Sequence, residues 1–179
     1  MGNSGDDFDF LTKKLDKKYQ LLIPELPGHN NDKFNSKFSL INYANSIVLL
    51  ILRKNLCNIV FFSHSVGGII PILIAKKIKQ KKKIENFFNY EGNLTEYDTG
   101  TITKKTTSYN INEFDNKFNK LVGICEQSSQ STIRLWSNSL KKTSSKAFYD
   151  LSKDTVLLSK KTILFQFFRI FFRRKLYMF

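Results

Sequence analysis

The chain has 179 residues, 41% of them hydrophobic, and a formal net charge of +14. That size and apolar content suit one folded domain with a core of ordinary size. Lysine supplies most of the charge, amid many asparagines and isoleucines. This leaves two readings open, the composition of an AT-rich genome or an anionic partner, because net charge speaks to association rather than to fold.

No stretch reaches the about 18 uninterrupted apolar residues of a membrane-spanning helix. The first seven residues are polar and acidic, unlike a secretory leader, and Asp6 stands where an N-myristoylation signal needs Ser or Thr. Cys57 and Cys125 lie far apart without metal-ligand spacing, the pattern of reduced thiols, so a cytoplasmic location is expected. No clustered His, Cys or carboxylate set suggests a metal or another cofactor.

Residues 2–7 read as a glycine-rich turn leading into a helix over 8–15, with acids in its first turn. Residues 19–24 read as a short buried strand closed by Pro24. Glu25-Leu26-Pro27-Gly28-His29-Asn30 is a turn, with His29 as a turn or surface histidine. Residues 39–54 form an apolar-striped helix with Ser39 as N-cap and Arg53 and Lys54 at its C-terminal end.

The most informative stretch follows. An apolar, β-branched run over residues 58–62 ends at Ser63-His64-Ser65-Val66-Gly67-Gly68, and an apolar segment long enough for a buried helix comes next. The pattern predicts strand, sharp turn and helix with Ser65 at the apex. Ser63 and Gly67 are small, as two chain segments passing close together require, and Pro71 is expected to remove a ladder bond and bend the helix. The lysine-rich residues 76–83 read as a solvated helix end, with contact to anionic surfaces as the other reading.

Residues 84–90 read as a second strand, ending in Glu91-Gly92-Asn93-Leu94. Residues 99–110 lack periodicity and read as loop. Residues 111–159 read as broken helix, with Phe114, Phe118, Leu121 and Val122 on one face and short helical pieces around 133–136 and 147–151. Trp136 is a core aromatic or a pocket wall. Residues 159–179 read either as a basic, aromatic helix at a membrane interface or, preferred here, as a last helix followed by a short strand over 175–179.

These residues together resemble the α/β-hydrolase family. Ser63 to Gly67 resembles its nucleophile elbow, G-x-S-x-G, with Ser63 in place of the first glycine. The turn at 25–30 resembles the family's D-x-P-G-H-G, with Glu25 for aspartate and Asn30 for glycine. Residues 1–5 resemble its oxyanion loop, His-Gly-x-x-Gly, with Met1 in the histidine's place, and Glu91-Gly92-Asn93-Leu94 resembles the end of strand six.

The resemblance implies an α/β fold: a partial α/β-hydrolase domain with a mostly parallel sheet and a helical cap inserted after strand six. Its central part would occupy residues 1–98, the cap 99–160, and the last helix and start of strand seven 161–179. It implies hydrolysis of a small ester-like substrate, with Ser65 as nucleophile, the amides of Val66 and Asn3 as oxyanion donors, Glu91 as a weak acid candidate and no cofactor or metal. The family orders its triad as Ser, acid, His along the chain. Both histidines here, His29 and His64, precede Ser65, and the turn should send the His64 side chain away from it. The first strands, including strand three, are also missing from the pattern. The expectation is therefore a chain truncated at both ends and inactive by itself, with a complementary fragment carrying the missing triad residues as a partner. The alternatives are an inactive remnant or a basic protein that binds membrane surfaces or anionic polymers. No specific nucleic-acid module is present, and contact with anionic membranes is expected to be weak.

Overall fold

The computed structural model describes residues 1–35, 39–78, 84–100, 102–160 and 177–178. Its elements in chain order are α1 (Asp9–Lys14), α2 (Leu40–Arg53), β1 (Ile59–His64), α3 (Ile69–Lys77), β2 (Ile84–Tyr90), α4 (Ile102–Thr107), α5 (Ile111–Glu126), α6 (Ser131–Lys141), α7 (Ser145–Ser159) and β3 (Tyr177–Met178). Short 3₁₀ turns at Gly5–Phe8 and Ser65–Gly68 lead into α1 and α3. Backbone contacts divide the chain into two compact units. One holds Met1, Ser39–Ser108 and Leu151–Phe179; the other holds Gly2–Phe38 and Tyr109–Asp150.

The first unit contains a three-stranded parallel sheet ordered β1-β2-β3. Each parallel connection crosses through helix, α3 between β1 and β2 and the helices α4 to α7 before β3. This is the α/β arrangement the sequence implies, a partial α/β-hydrolase sheet with a helical insertion after its second strand. The expected strand near the C-terminus is present as β3, which pairs Tyr177 with Phe88 and Met178 with Asn89. The lysines at 79–83 and the expected last helix lie outside the described residues.

The sheet has one packed face. Phe61 meets a core of Ile72, Phe87 and Leu94, while Val60 and Phe62, on the opposite face, are 43% and 58% exposed. Parallel strands are ordinarily covered on both faces. α2 packs against α3 and buries Leu40, Tyr43, Ala44, Val48 and Ile51, the three-to-four spacing of one helical face. Its start is held twice: the Asn42 amide donates to Ser39 Oγ (3.1 Å), and the Leu40 amide donates to Asp154 Oδ2 (2.9 Å).

Residues 19–24 depart from expectation. They form no strand among the described residues, and Tyr19 and Leu22 are exposed. An apolar stretch becomes strand only when a neighbour takes up its N–H and C=O groups, and the described strand pairings include none of these residues. Residues 102–107 form helix α4 where loop was expected. Its buried residues are Thr103 and Thr106, which leave no apolar stripe to detect. Pro71 removes no bond from α3: the helix begins at Ile69, so Pro71 lies in the first turn, where amides have no intrahelical acceptor.

In the second unit α5 packs against α6. Phe114 and Phe118 are buried together with Phe148 and Tyr149, with ring centroids 5.2 to 6.2 Å apart. Leu121 and Val122, expected on that face, are only half-buried, and Cys125 takes the next buried position.

Candidate active site

β1 delivers the chain to Ser65, which has φ +54. That left-handed conformation is uncommon for any residue but glycine or asparagine, and it costs on the order of 1–3 kcal/mol unless the surroundings enforce it. Here they do. The Ser65 carbonyl accepts the Asn93 amide (3.0 Å), and Asn93 Nδ2 donates to Thr103 Oγ1 (3.0 Å). The loop after β2 is thereby tied to the turn after β1. Val66, one residue on, is buried in the opening of a 3₁₀ turn, where the first amides lack intrahelical acceptors and the dipole favours negative charge.

The crowding at the turn falls one residue later than the motif suggests. A Cβ on Gly67 would meet open space, whereas one on Gly68 would lie 2.5 Å from Asn89 Oδ1 and 3.0 Å from the Gly92 Cα. Ser63 is buried. Asn89 is the residue that sequence reasoning missed: its side chain occupies the gap that Gly68 and Gly92 leave, with Oδ1 buried and unpartnered among the described residues.

His64 pairs with Tyr90 across the β1–β2 ladder, so Ser65 and Glu91 each follow the last residue of adjacent parallel strands. Both therefore sit at the C-terminal edge of the sheet, where open α/β sheets place their ligands. Glu91 has φ +49 and a largely exposed side chain. His64 lies against the Tyr90 ring, with Nε2 3.7 Å from Glu91 Oε2. Burial lowers the His64 pKa, and the Glu91 carboxylate opposes that shift. The Ser65 hydroxyl has no hydrogen-bond partner among the described residues.

The second unit contains Asn3 and the turn at 25–30. His29 is completely buried. Its Nδ1 is 3.2 Å from the Pro27 carbonyl, and its Nε2 accepts the Gly2 amide (3.1 Å). That pair of contacts requires a neutral ring protonated on Nδ1. Burial holds the pKa down at about 4. Glu25 Oε1 accepts both the Gly5 amide (2.7 Å) and Asn30 Nδ2 (3.1 Å). The two departures from the family's turn are thus partners: the longer Glu25 reaches Gly5, and Asn30, at φ +49, donates to it. Asp7 Oδ2 accepts the Ser4 amide (2.7 Å), Asn3 Nδ2 (3.2 Å) and Ser139 Oγ (2.8 Å).

Among the described residues no group of three His, Cys, Asp or Glu side chains could hold a metal ion, and no helix is long and apolar enough to cross a membrane.

No family model matches the chain. Two proteins of Mycoplasma pneumoniae are similar to parts of it. “Putative esterase/lipase 2” is 28% identical over 85 residues, covering 46% of this chain and 32% of that protein. “Putative esterase/lipase 3” is 35% identical over 65 residues, covering 36% of this chain and 24% of that protein. The matched stretches thus span about a third and a quarter of these relatives. Among solved structures, a hydrolase from Oleispira antarctica superposes with TM-score 0.73 at 16% identity, covering 100% of this chain and 79% of that one. A structure from work on carboxylesterases of Nitrososphaera gargenis gives TM-score 0.69 at 14% identity, covering 94% and 65%. The chain carries part of the α/β-hydrolase fold and resembles the esterases built on it.

Proposed function

We propose that the chain carries the nucleophile of an ester hydrolase, with Ser65 in that role. The observation that supports this most is the conformation of Ser65, at φ +54 between a parallel strand and a helix. In such a reaction Ser65 Oγ bonds to the carbonyl carbon of a small ester, and the hydroxyl proton passes through a base to the departing alcohol. Water then cleaves the acyl–serine bond, releasing the acid and restoring the hydroxyl. The Val66 amide is the donor the turn offers to the developing oxyanion. Asn3 is the second donor that the family resemblance implies, and Glu91 is the acid candidate.

The base is the part the described residues do not supply. Ser65 Oγ has no partner, His64 faces Tyr90 and Glu91, and both ring nitrogens of His29 are engaged. A serine hydroxyl without a base is a weak nucleophile. Turnover by this chain alone is therefore expected to be very low, and a second polypeptide bearing a histidine is the partner that would raise it.

The test is labelling by a fluorophosphonate probe, with wild type and Ser65→Ala compared in the absence and presence of imidazole as a surrogate base. The expected result is slow labelling of wild type, accelerated by imidazole, with Ser65→Ala unlabelled under both conditions. Equal labelling of the two proteins with imidazole present would remove Ser65 as nucleophile. Rapid labelling of wild type without imidazole would mean that a base is present in the chain, with Glu91 the first residue to substitute.

A further inference from the structure

Of the four successive amides from Gly2 to Gly5, three have side-chain acceptors: His29 Nε2 for Gly2, Asp7 Oδ2 for Ser4 and Glu25 Oε1 for Gly5. Asn3 stands between them, and its amide has no acceptor among the described residues. Unengaged amides are ordinary at a frayed terminus, but this segment is not built like one. Gly2 has φ +77, and a Cβ there would lie 2.4 Å from Leu140 Cδ2 and 3.0 Å from Trp136 Nε1. Ser4 is buried, and Asp7 is anchored by Ser139 of α6. Three acceptors fix the amides on either side of Asn3, so the direction of the one left over is fixed as well.

We infer that His29 is a positioning residue, whose Nε2 pins the Gly2 amide and thereby presents the Asn3 amide as a preorganised donor for an anionic oxygen. The inference rests on the reading of Asn3 as an oxyanion donor, and it adds the group that sets the donor's orientation. A donor preorganised in this way stabilises a developing charge without reorganising when the charge appears. His29 does this through a ring nitrogen that must be unprotonated. The Nδ1–H donated to the Pro27 carbonyl selects the tautomer that leaves Nε2 free to accept. Glu25 and Asp7 fix the far side of the loop, so loss of His29 should loosen Gly2 and Asn3 while Gly5 stays anchored.

The experiment uses the whole chain and does not depend on activity. In ¹H–¹⁵N spectra at neutral pH, wild type should show His29 as the Nδ1–H tautomer, with a Gly2 amide protected from exchange and an Asn3 amide that is not. His29→Phe, which keeps an aromatic ring but no acceptor, should speed Gly2 exchange about fivefold to tenfold, the equivalent of one ordinary hydrogen bond. The Asn3 amide should shift, and the Gly5 amide should change little. His29→Gln, whose side-chain oxygen can accept, should restore part of the Gly2 protection. An Nε2–H tautomer in wild type, an unprotected Gly2 amide, or an Asn3 amide as protected as its neighbours would each overturn the inference, and these readings need no variant. If the loop behaves as stated while Ser65 proves unreactive to the phosphonate with imidazole, the nucleophile assignment fails and the positioning role of His29 stands.

Discussion

The turn around Ser65 and the loop from Gly2 to Gly5 hold unusual backbone in place by opposite means. The turn is enforced mainly by the main chain and by packing. The Ser65 carbonyl bonds the Asn93 amide, and Gly68, Gly92 and the Asn89 side chain fit together with no room for another methyl group. The loop is enforced by side chains that accept its amides, from His29, Glu25 and Asp7. Packing of the first kind depends little on pH or charge; hydrogen bonding of the second kind depends on both. The two regions should therefore fail under different perturbations.

The largest effect should come from acid, in the loop. His29 has a folded-state pKa of about 4 against 6.5 ordinarily, because burial disfavours its charged form. Between those values the unfolded chain binds the proton and the folded chain does not, so stability falls as pH drops from about 6.5 to about 4. The full shift amounts to roughly 3 kcal/mol. Trp136, the sole tryptophan, lies beside Gly2, so urea midpoints followed by its fluorescence report on this region. His29→Phe should flatten the pH dependence. An unchanged slope in that variant would move the acid sensitivity elsewhere, to His64 first.

Next comes a steric change in the turn. A Cβ on Gly92 would lie 1.9 Å from Asn89 Oδ1, so Gly92→Ala should cost about 2 kcal/mol, the middle of the range for overpacking. Pairing it with Asn89→Ala should recover part of that loss. If the double variant were no more stable than Gly92→Ala, the close fit would not be the cause. A smaller loss, about 1–2 kcal/mol, is expected for Glu25→Ala, which leaves the Gly5 amide unpaired. Thermal unfolding at neutral pH measures it, and a neutral result would take Glu25 out of the loop's support. Smallest of all, Phe62→Thr should leave stability within about 0.5 kcal/mol, because that ring lies on the exposed face of the sheet. A large loss would show that the face is covered.

The same contrast explains what could be read from the sequence. The turn was legible because its parts are contiguous: an apolar strand, a serine, two glycines and an apolar helix within about twenty residues. The end of β2 was legible for the same reason. The supports of both regions were not. Asn89 and Asn93 act on the turn from the neighbouring strand and its loop, and Ser139 acts on Asp7 from another helix, with no local signature in any of them. The sequence reads His29 as a turn or surface histidine; it lies in the turn but is completely buried, and its burial and its bond to Gly2 are tertiary facts. Helix α4 escaped because its buried residues are threonines, and residues 19–24 were expected to be strand because propensity does not say whether a partner is present.

The central proposal is that Ser65, at the start of the 3₁₀ turn that leads into α3, is a nucleophile favoured by a helical start, and Ser65→Cys tests that setting without any need for a base. A thiol reports its own ionisation, and a helix N-terminus lowers a thiol pKa from the ordinary value of about 8.5. With Cys57→Ser as background to silence the exposed thiol, the rate of iodoacetamide alkylation against pH gives that pKa, and mass spectrometry assigns the modified position. The account predicts an ionisation below about 8 at position 65, faster alkylation near neutral pH than the exposed Cys57 of the wild-type chain shows, and suppression of that advantage in denaturant. An ionisation at or above the ordinary thiol value in the folded protein would contradict it.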